Sequence, residues 1–147
     1  MAKKHGKSSA FTIEDIGGAE RDLSQFCDSV EMPQVVATAE TSGMGDSAQE
    51  FIPGMAGATI SISGSWDNTA TTGPDVVLGG LLGAGGVKTD GDAPTFEYGP
   101  EGSTNGLIRY TGTAILTGYT VSSAVGAKVT FTASLLVTGA VTRDVFA

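Results

Sequence analysis

The stretch 58-ATISISGSW-66 decides the fold class, because apolar and hydroxyl side chains alternate along it. Ile60, Ile62 and Trp66 fall on one face, which is interrupted only by Gly64. In an extended strand, successive side chains point to opposite faces of the sheet. The pattern therefore predicts a β-strand with one face in a core and the other in water. The hydrated face consists of Thr59, Ser61, Ser63 and Ser65.

The same division recurs in a second long strand, which we predict within residues 128–146. Apolar and hydroxyl residues alternate strictly from Val129 to Leu135, and Val137 and Thr138 continue the two faces. Two strands that each set hydroxyls against apolar residues indicate a sheet with one hydrated face. On this second strand the hydrated positions include Thr130, Thr132 and Ser134.

The composition also favours strands over helices. Glycine accounts for 22 of 147 residues, about twice its average usage of roughly 7%. Glycine and hydroxyl residues disfavour helix interiors, whereas threonine packs well in sheets. One short helix is predicted over residues 74–82, where Pro74 suits the first turn and apolar residues recur at spacings of three and four. We therefore predict a mainly β fold, a β-sandwich or half-barrel with one short helix.

The predicted domain organisation is simple. Residues 1–9 form a basic, flexible arm, and residues 10–147 form a single domain. A long loop at residues 42–57 joins a predicted strand, Gln34–Thr41, to the strand at 58–66. Structureless loops longer than about 12–15 residues are usually functional or disordered. The apolar residues of this loop indicate that it packs on something, and a mobile surface loop is the alternative.

The charge of the chain is unevenly distributed. Its formal net charge is −8, from 8 basic and 16 acidic residues. Lys3, Lys4 and Lys7 lie at the N-terminus, so the chain from Ser8 onward has only 8 − 3 = 5 basic residues against 16 acidic ones. Binding to phosphates normally requires clustered Lys and Arg. Ordinary nucleic-acid binding is therefore disfavoured, whereas passage of nucleic acid without binding is not.

The residues needed for catalysis or metal binding are scarce. Cys27 is the only cysteine and His5 the only histidine, so neither an internal disulfide nor a paired-histidine metal site is expected. Asp90-Gly91-Asp92 lacks the remainder of a calcium-binding loop. We expect no enzyme and no catalytic, cofactor-binding or metal-binding residues. We also expect no membrane-spanning segment, because no 18-residue apolar run occurs.

Several short motifs follow one another in a particular order. They are Arg21-Asp22-Leu23-Ser24, Glu40-Thr41-Ser42, Phe51-Ile52-Pro53-Gly54, the strand 58–66 followed by Asp67, the predicted helix, the turn Tyr98-Gly99-Pro100-Glu101-Gly102, and the strand containing residues 129–134. Each motif is common among β proteins, so only their order and spacing are informative. In that order the chain resembles the major tail tube proteins of long, non-contractile-tailed (siphovirus-type) bacteriophages, over most of residues 10–142.

The resemblance implies a structural virion protein of a phage tail, assembled in the cytoplasm of the bacterial host. Six copies would close into a ring, and rings would stack into a tube through which double-stranded DNA passes without specific binding. The implied partners are further copies of this chain and other tail proteins at the tube ends. Two alternatives stay open: a capsid decoration or cement protein, and a carbohydrate-binding β-sandwich. A carbohydrate-binding module would need exposed aromatic residues. Trp66, the only tryptophan, is in phase with Ile60 and Ile62, so we expect it to be buried.

Two sets of site residues follow from this interpretation. The first set would face the lumen, where hydroxyls and carboxylates hydrate and weakly repel DNA. It consists of Thr38, Glu40, Thr59, Ser61 and Ser63, with Thr130, Thr132 and Ser134 as second choices. The second set lies in the loop 42–57 and would dock on the next ring. It consists of Met44, Asp46, Glu50, Phe51, Ile52 and Met55.

Overall fold

A computed structural model describes residues 5–147 of the chain. Of the predicted basic arm, residues 1–4 lie outside the described residues, and Gly6–Ser8 forms a short 3-10 turn. One α-helix, α1, spans Pro74–Gly83. The strands are β1 (Ala10–Glu14), β2 (Glu20–Asp22), β3 (Cys27–Glu31), β4 (Gln34–Glu40), β5 (Phe51–Ser65), β6 (Thr95–Gly99), β7 (Ile108–Ser122) and β8 (Thr130–Val145). The prediction of a mainly β fold with one short helix is confirmed.

The eight strands form one antiparallel sheet that curls into a half-barrel. Its order is β2-β1-β6-β7-β8-β5-β3, and β4 pairs with the first part of β5. The long strands β5, β7 and β8 have 15, 15 and 16 residues. These three strands are longer than a typical strand of about five or six residues. The centre of the sheet therefore extends beyond the shorter strands on either side.

The core lies on one face of the sheet, where β5 and β8 run side by side. Ile60 lies opposite Leu135 and Ile62 lies opposite Ala133, and all four side chains are buried. Burying one such aliphatic side chain stabilises the fold by roughly 1.5–3 kcal/mol. The alternation predicted from the sequence of both strands is therefore present in the sheet.

Helix α1 closes this core by packing its apolar stripe against the sheet. Val77, Leu78 and Leu81 are buried in the same cluster as the side chains of β5 and β8. A polar contact adds to this packing, since the Tyr119 hydroxyl on β7 donates to Asp75 Oδ1 in the first turn of the helix at 3.0 Å. Burial, together with the negative charge of Asp75, raises the pKa of Tyr119, so the donating phenol stays protonated.

The long loop is shorter than the sequence indicated. Residues 51–57, predicted as part of it, form the first half of β5 and pair with β4, so only residues 41–50 connect the two strands. The strand signal is weak there because Pro53, Gly54 and Gly57 interrupt the apolar pattern. The register shifts by one residue between Val36 and Thr38, where β5 carries one extra residue in a β-bulge.

Gly64 marks the place where β5 touches the segment before β3. A Cβ atom at this position would overlap the carbonyl oxygen of Phe26, which accepts a hydrogen bond from the Ser65 amide at 2.8 Å. We expect Gly64→Ala to lower the free energy of unfolding by about 1–3 kcal/mol, because the backbone must shift to admit the methyl group. Urea denaturation measures this change.

Gly57→Ala is the matched control, because Gly57 lies in the same strand and a Cβ there meets nothing within 4 Å. Equal stability of the two variants would contradict the close approach at Gly64.

Candidate lumen and assembly surfaces

The side of the central strands that faces away from the core carries an almost continuous layer of hydroxyl groups. Ser63 lies opposite Ser29 on β3 and opposite Thr132 on β8. Thr132 in turn lies opposite Thr120 on β7. Directly opposite residues share a face of the sheet and lie about 5 Å apart. We call this surface the hydroxyl face; it comprises Ser29, Thr59, Ser61, Ser63, Ser65, Thr120, Ser122, Thr130, Thr132 and Ser134.

The hydroxyl face is exposed and carries little charge. Thr59, Ser61, Thr132 and Ser134 are exposed, and the remaining predicted members are partly so. Its ten members are all serine or threonine, and the acidic residue Glu31 borders them on β3, opposite Ser61. Neutral hydroxyls bind water well, but without Lys or Arg they offer no counter-charge for phosphate. The surface is thus suited to contact a polyanion without holding it.

The pairing register does not bring Thr38 and Glu40 onto the hydroxyl face. Gln34 lies opposite Ala58, whose side chain is buried on the core side. Because β4 has no inserted residue, alternation places Thr38 and Glu40 on the same side as Gln34, opposite to Thr59. The sequence shows which residues of β4 share a face, but the partner strand decides which face it is.

The predicted lumen residues of β5 and β8, by contrast, lie together. Ser61 is directly opposite Ser134, and Ser63 is directly opposite Thr132. Thr59 and Thr130 continue the same face at either end of the paired segment. Two strands that are 65 residues or more apart in sequence thus form one surface.

Strand β7 also contributes to this face, which the sequence pattern did not predict. Thr117 is an extra residue on β7, because Leu116 lies opposite Leu135 and Gly118 lies opposite Ser134. The bulge reverses the phase of the strand, so Tyr119 points to the core while Thr120 and Ser122 join the hydroxyls. Alternation within residues 118–122 could have grouped these two residues, but not assigned them to a side.

A two-stranded hairpin extends away from the core and forms a second candidate surface. We call residues 34–57 the hairpin arm; it consists of β4, the loop 41–50 and the first seven residues of β5, and all residues of both strand segments are exposed. A hydrophobic surface of this kind marks a binding site in a stable protein. Its large exposed apolar side chains are Val35, Val36, Met44, Phe51, Ile52 and Met55.

The tip of the hairpin arm is ordered by short polar contacts and is acidic. The Glu50 amide donates to Ser42 Oγ at 2.6 Å, and the Thr41 amide donates to the Glu50 carbonyl at 2.8 Å. Asp46 accepts a hydrogen bond from the Gly43 amide. The arm contains Glu40, Asp46 and Glu50 but neither Lys nor Arg. The structure thus brings all six residues predicted for docking onto one projecting element.

No arrangement typical of catalysis is found among residues 5–147. In this range no group of three or more His, Cys, Asp or Glu residues is placed to hold a metal ion. Burial and the charges of Asp22 and Asp28 raise the pKa of Cys27 to about 12, so its thiol is a poor nucleophile. Within the described part of the chain, no helix has the length and apolar character needed to cross a membrane.

An ionic cluster fastens the ends of β7 and β8. Arg109 contacts Asp144 through two hydrogen bonds, at 2.6 and 3.1 Å, and Glu97 through one of 3.0 Å. Its guanidinium also lies 5.7 Å from the centre of the Phe146 ring. The hydrogen bonds from Arg109 hold the pKa of Asp144 below its usual value.

We expect Asp144→Asn to lower the urea midpoint at pH 7 and to have no effect in strong acid. The pKa of Asp144 is lower in the folded chain than in the unfolded chain, where it is about 3.9. The Asp144 carboxylate therefore contributes to the free energy of unfolding above about pH 3.9, and this contribution is lost as the pH falls through the folded pKa. Denaturation of both proteins between pH 7 and pH 2 measures this. Asp92→Asn, at an exposed carboxylate in a turn, is the control. A difference that persisted unchanged in acid would contradict the ionic contribution.

Comparison with solved structures identifies the architecture. The chain is similar to a protein of the virion of a native gene transfer agent particle, with a TM-score of 0.73, 13% identity, and coverage of 97% of this chain and 99% of that one. It is similar to a protein of the SPP1 tail tube, with a TM-score of 0.70, 12% identity, and coverage of 97% and 80%.

A third similar structure is the sheath–tube complex of an extracellular contractile injection system, with a TM-score of 0.65, 13% identity, and coverage of 98% and 93%. The sequence itself matches no protein-family model and no curated protein. The curled sheet with one helix is therefore a tail-tube fold. Since the similar structures include both phage-like tails and a contractile system, this fold does not by itself distinguish non-contractile tails.

Proposed function

We propose that this protein is the structural subunit of a phage tail tube. Copies of the chain close into hexameric rings, the rings stack into a tube, and double-stranded DNA passes through the lumen. The observation that carries the proposal is the hydroxyl face, which spans four adjacent strands of a curled sheet and contains no Lys or Arg. The similarity of the fold to tail tubes supports it, including one tail solved with C6 symmetry.

The lumen is lined by the hydroxyl face. In a channel that DNA must traverse, attraction would slow movement, whereas strong repulsion would oppose entry. Hydroxyl groups keep the wall hydrated, and Glu31 adds a weak negative charge. We assign Thr59, Ser61, Ser63, Thr130, Thr132 and Ser134 to the lining, and exclude Thr38 and Glu40 because they lie on the other side of the sheet.

Neighbouring copies in a ring cover the free edges of the sheet. Strand β3 pairs only with β5 among the described residues, and β2 pairs only with β1, so each presents an unpaired backbone edge. Exposed edges promote uncontrolled pairing unless another strand or element covers them. A closed ring removes this hazard, because every subunit meets a neighbour on both sides.

The hairpin arm makes the contact between rings. The apolar side chains to be buried in this contact are those of Met44, Phe51, Ile52 and Met55. The carboxylates of Asp46 and Glu50 make the same surface acidic. Docking on the next ring would remove these side chains from water, at about 25 cal/mol per Å² of apolar surface. The arm has no fold-stabilising role of its own, because both its strand segments are exposed.

We further assign the tube to a non-contractile, siphovirus-type tail, assembled in the host cytoplasm and completed at its ends by other tail proteins. The order of sequence motifs supports this choice over a contractile tail. The protein acts without enzymatic activity. A sheath surrounding the tube in virions would contradict the non-contractile assignment.

Negative-stain microscopy of the purified protein tests the proposal directly. Tubes with a central channel are the expected result. A capsid decoration protein would instead give monomers or trimers that do not polymerise, and a carbohydrate-binding module would give monomers that bind glycans. Either outcome would overturn the tube assignment.

Positive charge on the hydroxyl face should slow the movement of DNA. We expect Ser61→Lys combined with Thr132→Lys to leave tubes intact and to slow genome ejection at least tenfold, because the ammonium groups attract phosphate. Ser61→Asn combined with Thr132→Asn is the control, since it changes the same two side chains without adding charge. Equal ejection rates for the double variant and wild type, measured by dye-labelled DNA release, would refute the lumen assignment.

Shortening the hairpin arm should separate ring formation from stacking. Replacing residues 42–49 by Asn-Gly, which favours a tight hairpin turn, keeps β4 and β5 paired. We expect single rings in place of tubes, because the fold is intact but the tip of the arm, with Met44 and Asp46, is gone. Circular dichroism checks the fold, and microscopy counts the rings. Tubes of normal length would show that the tip is not required for stacking.

A further inference from the structure

The hairpin arm and the turn between β7 and β8 lie at opposite ends of the sheet. Ser65 at the end of β5 lies opposite Thr130 at the start of β8, and Thr130 lies opposite Ser122 at the end of β7. From that end, the 15 residues of β5 run to the tip of the hairpin arm. At about 3.3 Å per residue this is up to about 50 Å.

The end formed by residues 122–129, which we call the β7–β8 turn, also exposes apolar surface. Val125 is as exposed as in an extended peptide, at 108%, and Val121 just before the turn is 47% exposed. Neither side chain contributes to the core. The turn therefore contains apolar area that the isolated subunit leaves in water.

The charge of the β7–β8 turn differs in sign from that of the hairpin arm. Its ionisable residue is Lys128, whose ammonium donates to Asp28 Oδ2 at 3.0 Å. Both side chains of this pair are more than half exposed, at 58% and 57%. An ammonium group has three donors, so Lys128 can bind a second carboxylate without giving up the first.

We propose that the tip of the hairpin arm of one copy docks on the β7–β8 turn of a copy in the next ring. This inference rests on the proposed tube function and names the surface that receives the arm. Met44 and its apolar neighbours cover Val125, and Asp46 or Glu50 joins the pair formed by Lys128 and Asp28. The partner is a second copy of this chain.

Charge explains why the arm meets the turn and not another arm. Two arms placed tip to tip would bring the carboxylates of Glu40, Asp46 and Glu50 against their own copies, and like charges repel. Docking on the turn supplies Lys128 instead. Because the two surfaces are different and lie at opposite ends of the sheet, the contact is heterologous and continues without closing, as a tube requires.

Two variants with opposite defects test this contact. The arm variant is Met44→Asp with Met55→Asp, and the turn variant is Val125→Asp; these three side chains are at least 87% exposed, so the fold should be unaffected. We expect each variant alone to give single rings. Mixed together, the intact arm of the turn variant docks on the intact turn of the arm variant, so the mixture should give pairs of rings that grow no further.

Val76→Asp is the control, because Val76 is an exposed valine on α1, which belongs to neither surface; it should give tubes of wild-type length. Microscopy and sedimentation distinguish single rings, pairs and tubes. Normal tubes from the turn variant, or a mixture that yields only single rings, would overturn the proposed contact. If the wild-type protein itself formed no tubes, the proposed tube function would be wrong. That result is distinct from the results that would contradict only the contact between the arm and the turn.

Discussion

The pairing of β5 with β8 is the constraint on which the rest of the structure depends. Ile60 and Ile62 must face Leu135 and Ala133, because a slip of one residue would move every apolar side chain into water. Helix α1 packs on the apolar side of this pair. The hydroxyl face is the other consequence of the same register, since serine and threonine alternate with the buried residues.

Departures from strict alternation shape both candidate surfaces of the sheet. The extra residue at Thr117 turns Tyr119 towards the core, where it reaches Asp75 on α1, and adds Thr120 to the hydroxyl face. The bulge in the first half of β5 lies within the segment that pairs with β4, beyond the last residue that pairs with β8. One strand thus belongs to the core over half its length and to the hairpin arm over the other half.

The electrostatics are consistent with an assembly that handles DNA without binding it. Four of the six basic residues in the described part of the chain are held by carboxylates of the same subunit: Arg21, Lys88, Arg109 and Lys128. Little positive charge is left to attract phosphate. No polar or charged side chain among residues 5–147 is fully buried, so the core is stabilised by apolar packing and the acidic groups remain in water.

The sequence by itself determined the second half of β5, the strand β8, the helix after Pro74 and the division of both strand segments into an apolar and a hydroxyl side. These features follow from local periodicity, which residues up to four positions apart establish. Only the tertiary structure decided that Thr38 and Glu40 lie opposite to Thr59, that residues 51–57 are strand, and that β7 adds hydroxyls to the same face. Each of these features depends on which strands pair and in what register. Pairing joins residues that are far apart in the sequence, so no pattern within a short stretch of sequence reveals it.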